Sequence, residues 1–166
     1  MTGRDAKESI LAQASLLDRL IDFNPADAAD ANVSYTESLA TLREAVRRDL
    51  ESLLNTRRSA LEWPSQLREI DRSVVSYGVG DVCGLHVADA IEREQFRASV
   101  ETAIRNFEPR FQSFSVTLDQ GVDETNRRLG LRIEALMHAD PVPQSLVFSS
   151  IVEPSTQHFK VAESRR

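Results

Sequence analysis

The spacing of apolar residues predicts a helical first part of the chain and a strand-rich second part. Five apolar residues after position 34 recur at intervals of three or four and form one stripe on a helix: Leu39, Leu42, Val46, Leu50 and Leu53. Ser34 followed by Glu37 is the pattern of a capping box at the start of such a helix. Asn55-Thr56 is a suitable end, so the sequence predicts one long amphipathic helix.

A second amphipathic helix follows after an irregular stretch. Its apolar stripe consists of Phe96, Val100, Ala103, Ile104 and Phe107. Asp89 and Glu92 are spaced as a second capping box, and Pro109 disfavours helical geometry at Glu108, where the helix should end. Between the two helices the pattern predicts a short helix near residues 66–75 and a glycine-containing turn at 77–81.

Beyond Arg110 the apolar pattern changes from a helical period to a period of two. Phe114, Val116 and Leu118 share one predicted strand face, and alternate residues of 129–137 share another. Residues 146–148 and 159–161 are predicted as the third and fourth strands, with connections that suit an antiparallel meander. The predicted fold is therefore α+β, with N-terminal helices followed by a mainly antiparallel sheet in a single domain. If the last strand lies at an edge of the sheet, it offers unpaired backbone groups for strand addition.

The first 33 residues form a separate segment. Leu16, Leu17, Leu20 and Ile21 lie at helical spacing, Asn24-Pro25 breaks the helix, and an acidic linker follows. Two placements remain open, because such a short apolar helix either folds back on the domain or docks on another chain. We divide the chain into this segment (1–33) and an α+β domain (34–166).

Composition and charge exclude several classes of function. The net charge of −6 and the isoelectric point near 5.1 argue against nucleic-acid binding, which needs a basic face. No apolar run approaches the ~20 residues of a membrane helix, and the first residues lack the pattern of a secretory signal. Cys83 is the only cysteine, which suits a reducing compartment. We expect an acidic cytoplasmic protein that is not inserted in a membrane.

The sequence contains no recognisable catalytic or cofactor site. Glu108 is the first carboxylate to consider for hydrolysis, but Arg110 lies two residues away and would stabilise the carboxylate that a general acid must protonate. Cys83 and His86 have ligand-like spacing, yet a metal site needs about four donors. Phosphate-binding and nucleophile motifs are absent. We therefore expect no enzyme activity, no metal and no cofactor.

The remaining candidates are charged residues at the ends of the two long helices. Arg57-Arg58 follow the first helix, and Glu108-Pro109-Arg110 follow the second. Arginine binds carboxylates in two-point geometry and is favoured at protein interfaces, and Pro109 limits the freedom of the chain between its charged neighbours. From spacing alone, a solvated charge or an intrachain ion pair is the better explanation of each arginine.

An ordered set of motifs resembles the TssE family of type VI secretion baseplate subunits, which are grouped with the baseplate wedge proteins of contractile phage tails. The similar segments cover nearly the whole chain. They are Ser15-Leu16-Leu17-Asp18-Arg19-Leu20, residues 46–58 from Val-Arg-Arg-Asp to Thr-Arg-Arg, Ser76-Tyr77-Gly78-Val79, Phe107-Glu108-Pro109-Arg110 and Leu131-Arg132-Ile133-Glu134-Ala135-Leu136.

The resemblance implies a structural role. Members of this family join TssF and TssG to form a wedge at the cytoplasmic side of the inner-membrane complex. They also resemble part of the sheath built by TssB and TssC, and so can template the sheath by strand exchange. Glu108, Pro109 and Arg110 match the family's signature motif and imply an assembly contact, while Arg57 and Arg58 imply a supporting or contact role. Two alternatives stay open: a vestigial peptidoglycan hydrolase, and a regulatory adaptor that uses the same motif.

Overall fold

The computed structural model describes residues 15–20, 34–80, 89–119, 129–153 and 158–164. The three α-helices are α1 (Leu16–Leu20), α2 (Tyr35–Asn55) and α3 (Ala90–Phe107), with 3-10 turns at Arg68–Arg72 and Val74–Ser76. The four strands are β1 (Phe111–Asp119), β2 (Leu129–Met137), β3 (Gln144–Glu153) and β4 (His158–Glu163). Helices precede a four-stranded antiparallel sheet, so the α+β prediction is confirmed. The candidate metal pair Cys83 and His86 lies outside the described residues.

Helix α2 begins with the predicted capping box. The backbone N–H of Glu37 donates to the Ser34 hydroxyl at 3.3 Å, and the Ser34 N–H donates to the Glu37 carboxylate at 2.8 Å. These bonds satisfy two backbone donors that a helix start otherwise leaves free. The predicted stripe of α2 is buried, apart from Leu39, which packs partly buried at the margin of the core.

Helix α3 also begins and ends where the sequence predicted. The Asp89 carboxylate accepts a hydrogen bond from the N–H of Ile91 at 2.8 Å. The last helical residue is Phe107, because Pro109 restricts the backbone of Glu108, which takes φ −119° and ψ 77°.

The sheet has the simple order β1-β2-β3-β4. Ile133 lies opposite Val116 on one side and Phe148 on the other, and these side chains form the centre of the buried face. The helices pack on this face, with α2 over β4 and α3 over β1. The helical stripes and the alternating strand faces thus meet in one core, as the periodicity of each element requires.

The segment after α2 is fixed by a backbone bridge to the turn at Gly78. The N–H of Val79 donates to the carbonyl of Thr56 at 3.0 Å, and the N–H of Arg58 donates to the carbonyl of Val79 at 2.8 Å. Gly78 has φ of 109°, a conformation that residues with a Cβ rarely adopt. A Cβ at this position would lie 2.2 Å from the carbonyl oxygen of Thr56. Close backbone approach therefore requires glycine here.

We predict that Gly78→Ala lowers the free energy of unfolding by about 1–3 kcal/mol, because the added methyl group collides with the backbone and the positive φ is strained. Chemical denaturation with urea measures the change. Gly80→Ala is the matched control, since its Cβ would meet only the Ser99 hydroxyl at 3.6 Å. Equal stability of the two variants would show that the bridge does not depend on the close approach.

Candidate functional site

Glu108 and Arg110 bind each other within the chain. The Arg110 side chain donates from Nε to Oε1 of Glu108 at 2.6 Å and from Nη2 to Oε2 at 2.5 Å. The backbone N–H of Arg110 adds a third bond to Oε1 at 3.2 Å. The Glu108 side chain is only 3% exposed, so its charge is neutralised inside the protein. The ion pair is bidentate, which is the strongest common geometry for arginine and carboxylate.

Pro109 makes this pairing geometrically easy and itself lies at the surface. Its ring restricts the backbone between the two charged residues, which lets Arg110 turn back toward Glu108. The N–H of Phe111 then donates to the carbonyl of Glu108 at 3.4 Å as β1 begins. The Glu-Pro-Arg segment is thus a tight connection from α3 into the sheet.

Arg110 extends the pair into a row of charges that crosses three elements. Its Nη2 atom also contacts Oδ2 of Asp49 on α2 at 2.8 Å. Arg48 contacts the other Asp49 oxygen at 3.2 Å and Oδ1 of Asp18 on α1 at 2.7 Å. We call Glu108, Arg110, Asp49, Arg48 and Asp18 the ion-pair row. It joins the start of the sheet to α2, and α2 to α1.

The charges in the row shift one another's proton affinity. Burial lowers the pKa of Arg110, but hydrogen bonds and charges from Glu108 and Asp49 outweigh it and leave the pKa raised. Asp18 accepts a hydrogen bond from the Ser15 hydroxyl at 2.6 Å, and this bond, followed by that from Arg48, lowers the pKa of Asp18. Both shifts favour the charged forms of Arg110 and Asp18, which strengthens the two ends of the row.

The row attaches α1 with its apolar face outward. The Asp18 side chain is 9% exposed against Arg48, whereas Leu16, Leu17 and Leu20 are 76%, 64% and 81% exposed. Of the two placements left open by the sequence, the described part of α1 folds back on the domain, but through charges and not through its leucines.

Arg57 and Arg58 belong to a different part of the surface. Arg57 forms the parallel bridge with Val79, and the Arg58 guanidinium lies 5.6 Å from the centre of the Trp63 ring. The indole N–H of Trp63 donates to Asp71 at 3.1 Å. Arg58 lines a cavity of about 570 Å³ against α3, whereas Glu108 and Pro109 line another of about 360 Å³ beside Phe111 and Phe114. The structure does not bring Arg58 to the Glu-Pro-Arg segment.

The last strand lies at a sheet edge as expected, but its backbone is already engaged. The side-chain amide of Asn55 accepts from the N–H of Phe159 at 2.8 Å and donates to its carbonyl at 2.9 Å. Arg47 donates to the carbonyl of Val161 at 3.1 Å. The expectation of free backbone groups over residues 159–161 is therefore wrong for these three groups, because helix α2 covers them.

The opposite edge of the sheet differs. Hydrogen bonds alternate sides along an antiparallel ladder, so the outward position of Phe159 fixes the pattern through β3 and β2 to β1. The N–H and C=O groups of Phe114, Val116 and Leu118 consequently point away from β2. Within the described ranges, no hydrogen bond reaches these outward groups of β1.

Sequence reasoning missed Asp49 and Asn55 as partners. Asp49 lies at the border of the helical stripe, and spacing alone does not identify Arg110 as its partner. Arg47 lies beside the stripe and is half-buried against β4. A signal existed, because Arg47, Glu51 and Asn55 recur every four residues and form a polar line beside the buried stripe.

The family model of the baseplate wedge protein gp25 matches residues 40–142, which include most of α2 and all of α3, β1 and β2. The chain therefore belongs to the baseplate wedge protein gp25 family. TssE, which the sequence motifs resemble, is a member of the same family. No curated protein matches the chain.

The described residues contain no group of three or more His, Cys, Asp or Glu side chains placed to hold a metal ion. None of the helices seen there is long and apolar enough to cross a membrane.

Removal of Arg110 should be costly, because Glu108 would remain buried without its partner. We predict that Arg110→Ala lowers the free energy of unfolding by about 3–5 kcal/mol in urea denaturation. Arg105→Ala is the control: its ion pair with Glu101 has an arginine side chain that is 68% exposed, and its loss should cost about 1 kcal/mol or less. Similar losses in both variants would contradict a structural role for the buried pair.

The Asp18 contact predicts a pH dependence. The pKa of Asp18 in the folded protein lies below its ordinary 3.8, so the contact stabilises the docked helix above that pH. The stabilisation is lost as pH falls below 3.8 and through the lowered value. NMR can follow the leucine methyl resonances of α1 from about pH 6 to about pH 2. These resonances should shift as the pH falls below the ordinary pKa of Asp18. The Asp18→Asn variant should show no such transition, and an identical transition in it would assign the effect elsewhere.

Proposed function

We propose that the protein is a structural subunit of a type VI secretion baseplate, which binds the TssF and TssG wedge core and links it to the TssB/TssC sheath. Its place is the cytoplasmic side of the inner-membrane complex. The observation that carries the proposal is membership in the baseplate wedge family, combined with TssE-like motifs along the chain. A baseplate role follows from the family, and the named partners and location are the proposed part.

The geometry of Glu108 supports a non-enzymatic role over the hydrolase alternative. Both carboxylate oxygens accept hydrogen bonds from Arg110, and the side chain is almost completely buried. A general acid must reach the bond that it protonates, and the burial of Glu108 against Arg110 supports the structural role instead. A peptidoglycan-clearing assay is the test: we expect no clearing, and clearing that is lost in Glu108→Gln would overturn the proposal.

The predicted site residues have two distinct proposed roles. Glu108 and Arg110 hold the connection between α3 and β1 against α2, and so shape the surface without being its contact groups. Pro109, Arg57 and Arg58 are the exposed residues of this set, so a partner that approaches this surface can reach them. The carboxylates of a partner would suit the two arginines.

Capture experiments distinguish residues that contact a partner from residues that only shape the surface. We predict that the double variant Arg57→Ala/Arg58→Ala keeps the wild-type far-UV circular dichroism but loses most capture of co-expressed TssF and TssG. Arg105→Ala, which removes another exposed arginine, should retain capture. Wild-type capture by the double variant would remove these arginines from the interface.

The edge of β1, whose outward backbone groups have no partner among the described residues, supports the proposed link to the sheath. Three residues present outward backbone groups, and an extended segment that pairs with them would gain main-chain hydrogen bonds. Leu118 is partly buried near the end of β1, and its N–H points outward, so proline there removes an edge donor without breaking the β1–β2 ladder.

We predict that Leu118→Pro abolishes sheath assembly in cells while the wedge still forms. Leu118→Ala is the matched control, because it loses similar packing but keeps the N–H. Fluorescent sheath filaments are the readout. Normal filaments in Leu118→Pro would exclude this edge as the site of sheath attachment.

A further inference from the structure

The two edges of the sheet differ in a way that the proposed function does not require. Asn55 contacts both outward groups of Phe159, with one donor and one acceptor. Its amide thus occupies the place that a residue of a neighbouring strand would take. Arg47 occupies the next outward carbonyl, that of Val161. Edge strands of natural proteins are protected from pairing by such devices.

The covering side chains are themselves held in place. The Asn55 amide also donates to the carbonyl of Glu51 at 2.8 Å, and Arg47 is bound by the carboxylates of Glu44 and Glu51. The cap of α2 is Thr56, whose N–H donates to Leu53, so ending the helix does not require Asn55. Both side chains lie on α2, which packs over β4.

If the backbone groups of β4 were uncovered, the protein could pair with copies of itself. The outward groups of β1 have no partner in the described part of the chain, so β1 of one copy would then match β4 of another. This contact joins two different edges. Such a head-to-tail contact repeats from copy to copy, and it generates a ring if its rotation closes and an open chain of subunits if it does not.

We propose that Asn55, assisted by Arg47, closes the β4 edge and so prevents the protein from pairing with a second copy of itself through β1. The sheet is thereby left with one edge, that of β1, at which an added strand can pair. This inference concerns the isolated chain and does not rest on any wedge or sheath partner.

Analytical ultracentrifugation of purified variants tests the proposal. The wild-type chain should remain monomeric, whereas Asn55→Ala should show concentration-dependent association, with the weight-average mass rising roughly twofold or more. Asn106→Ala is the matched control, because this asparagine lies near the end of α3 and donates to Asp71, away from the sheet edges. It should remain monomeric.

A double variant distinguishes strand pairing from aggregation of unfolded chains. Leu118→Pro combined with Asn55→Ala removes an outward donor of β1, and the association should disappear. Arg47→Met keeps the amide contact and exposes only the carbonyl of Val161, so weaker association than in Asn55→Ala is expected. A monomeric Asn55→Ala variant with native circular dichroism, or association that persists in the double variant, would overturn the proposal.

Discussion

The contact of Arg110 with Glu108 and Asp49 is the interaction on which the arrangement of the helices and the sheet depends. A buried carboxylate without a partner is strongly unfavourable, so Glu108 requires Arg110 to turn back over Pro109. The same guanidinium then reaches α2, 61 residues earlier in the chain. The end of α3, the start of β1 and the middle of α2 are thus fixed by one cation. The Glu-Pro-Arg motif looks like a surface recognition signal in the sequence, but in the fold Glu108 and Arg110 form an ion pair within the chain.

Helix α2 contacts both the Glu-Pro-Arg segment and the last strand. Its apolar stripe packs on the sheet, one polar flank carries Asp49 toward Arg110, and another carries Arg47 and Asn55 to the last strand. The helix therefore positions the Glu-Pro-Arg connection and also covers an edge. Membership in the baseplate wedge family implies interaction with other baseplate proteins, and this arrangement gives the subunit defined surfaces.

Much of the fold could be predicted because it depends on local patterns. The leucine stripe, the Ser34 box and Pro109 each fix an element within a few residues of themselves, and the alternation in β2 fixes its buried face. The pairing partners of Arg110 and Asn55 could not be predicted, because they depend on how α2 approaches the sheet. Asn55 and Phe159 are 104 residues apart, and no spacing rule connects them. The exposed positions of Pro109, Arg57 and Arg58 likewise follow only from the assembled fold.

Within the described residues, one edge of the sheet is covered and the other is uncovered, which limits how many strands pair directly with a subunit. Pairing at β1 places the added strand at the new edge, while Asn55 still occupies the other side. If the proposed pairing takes place, each copy of the protein contributes one edge of its own, so one segment pairs directly with each subunit. The number of directly paired segments in an assembly would then equal the number of these subunits.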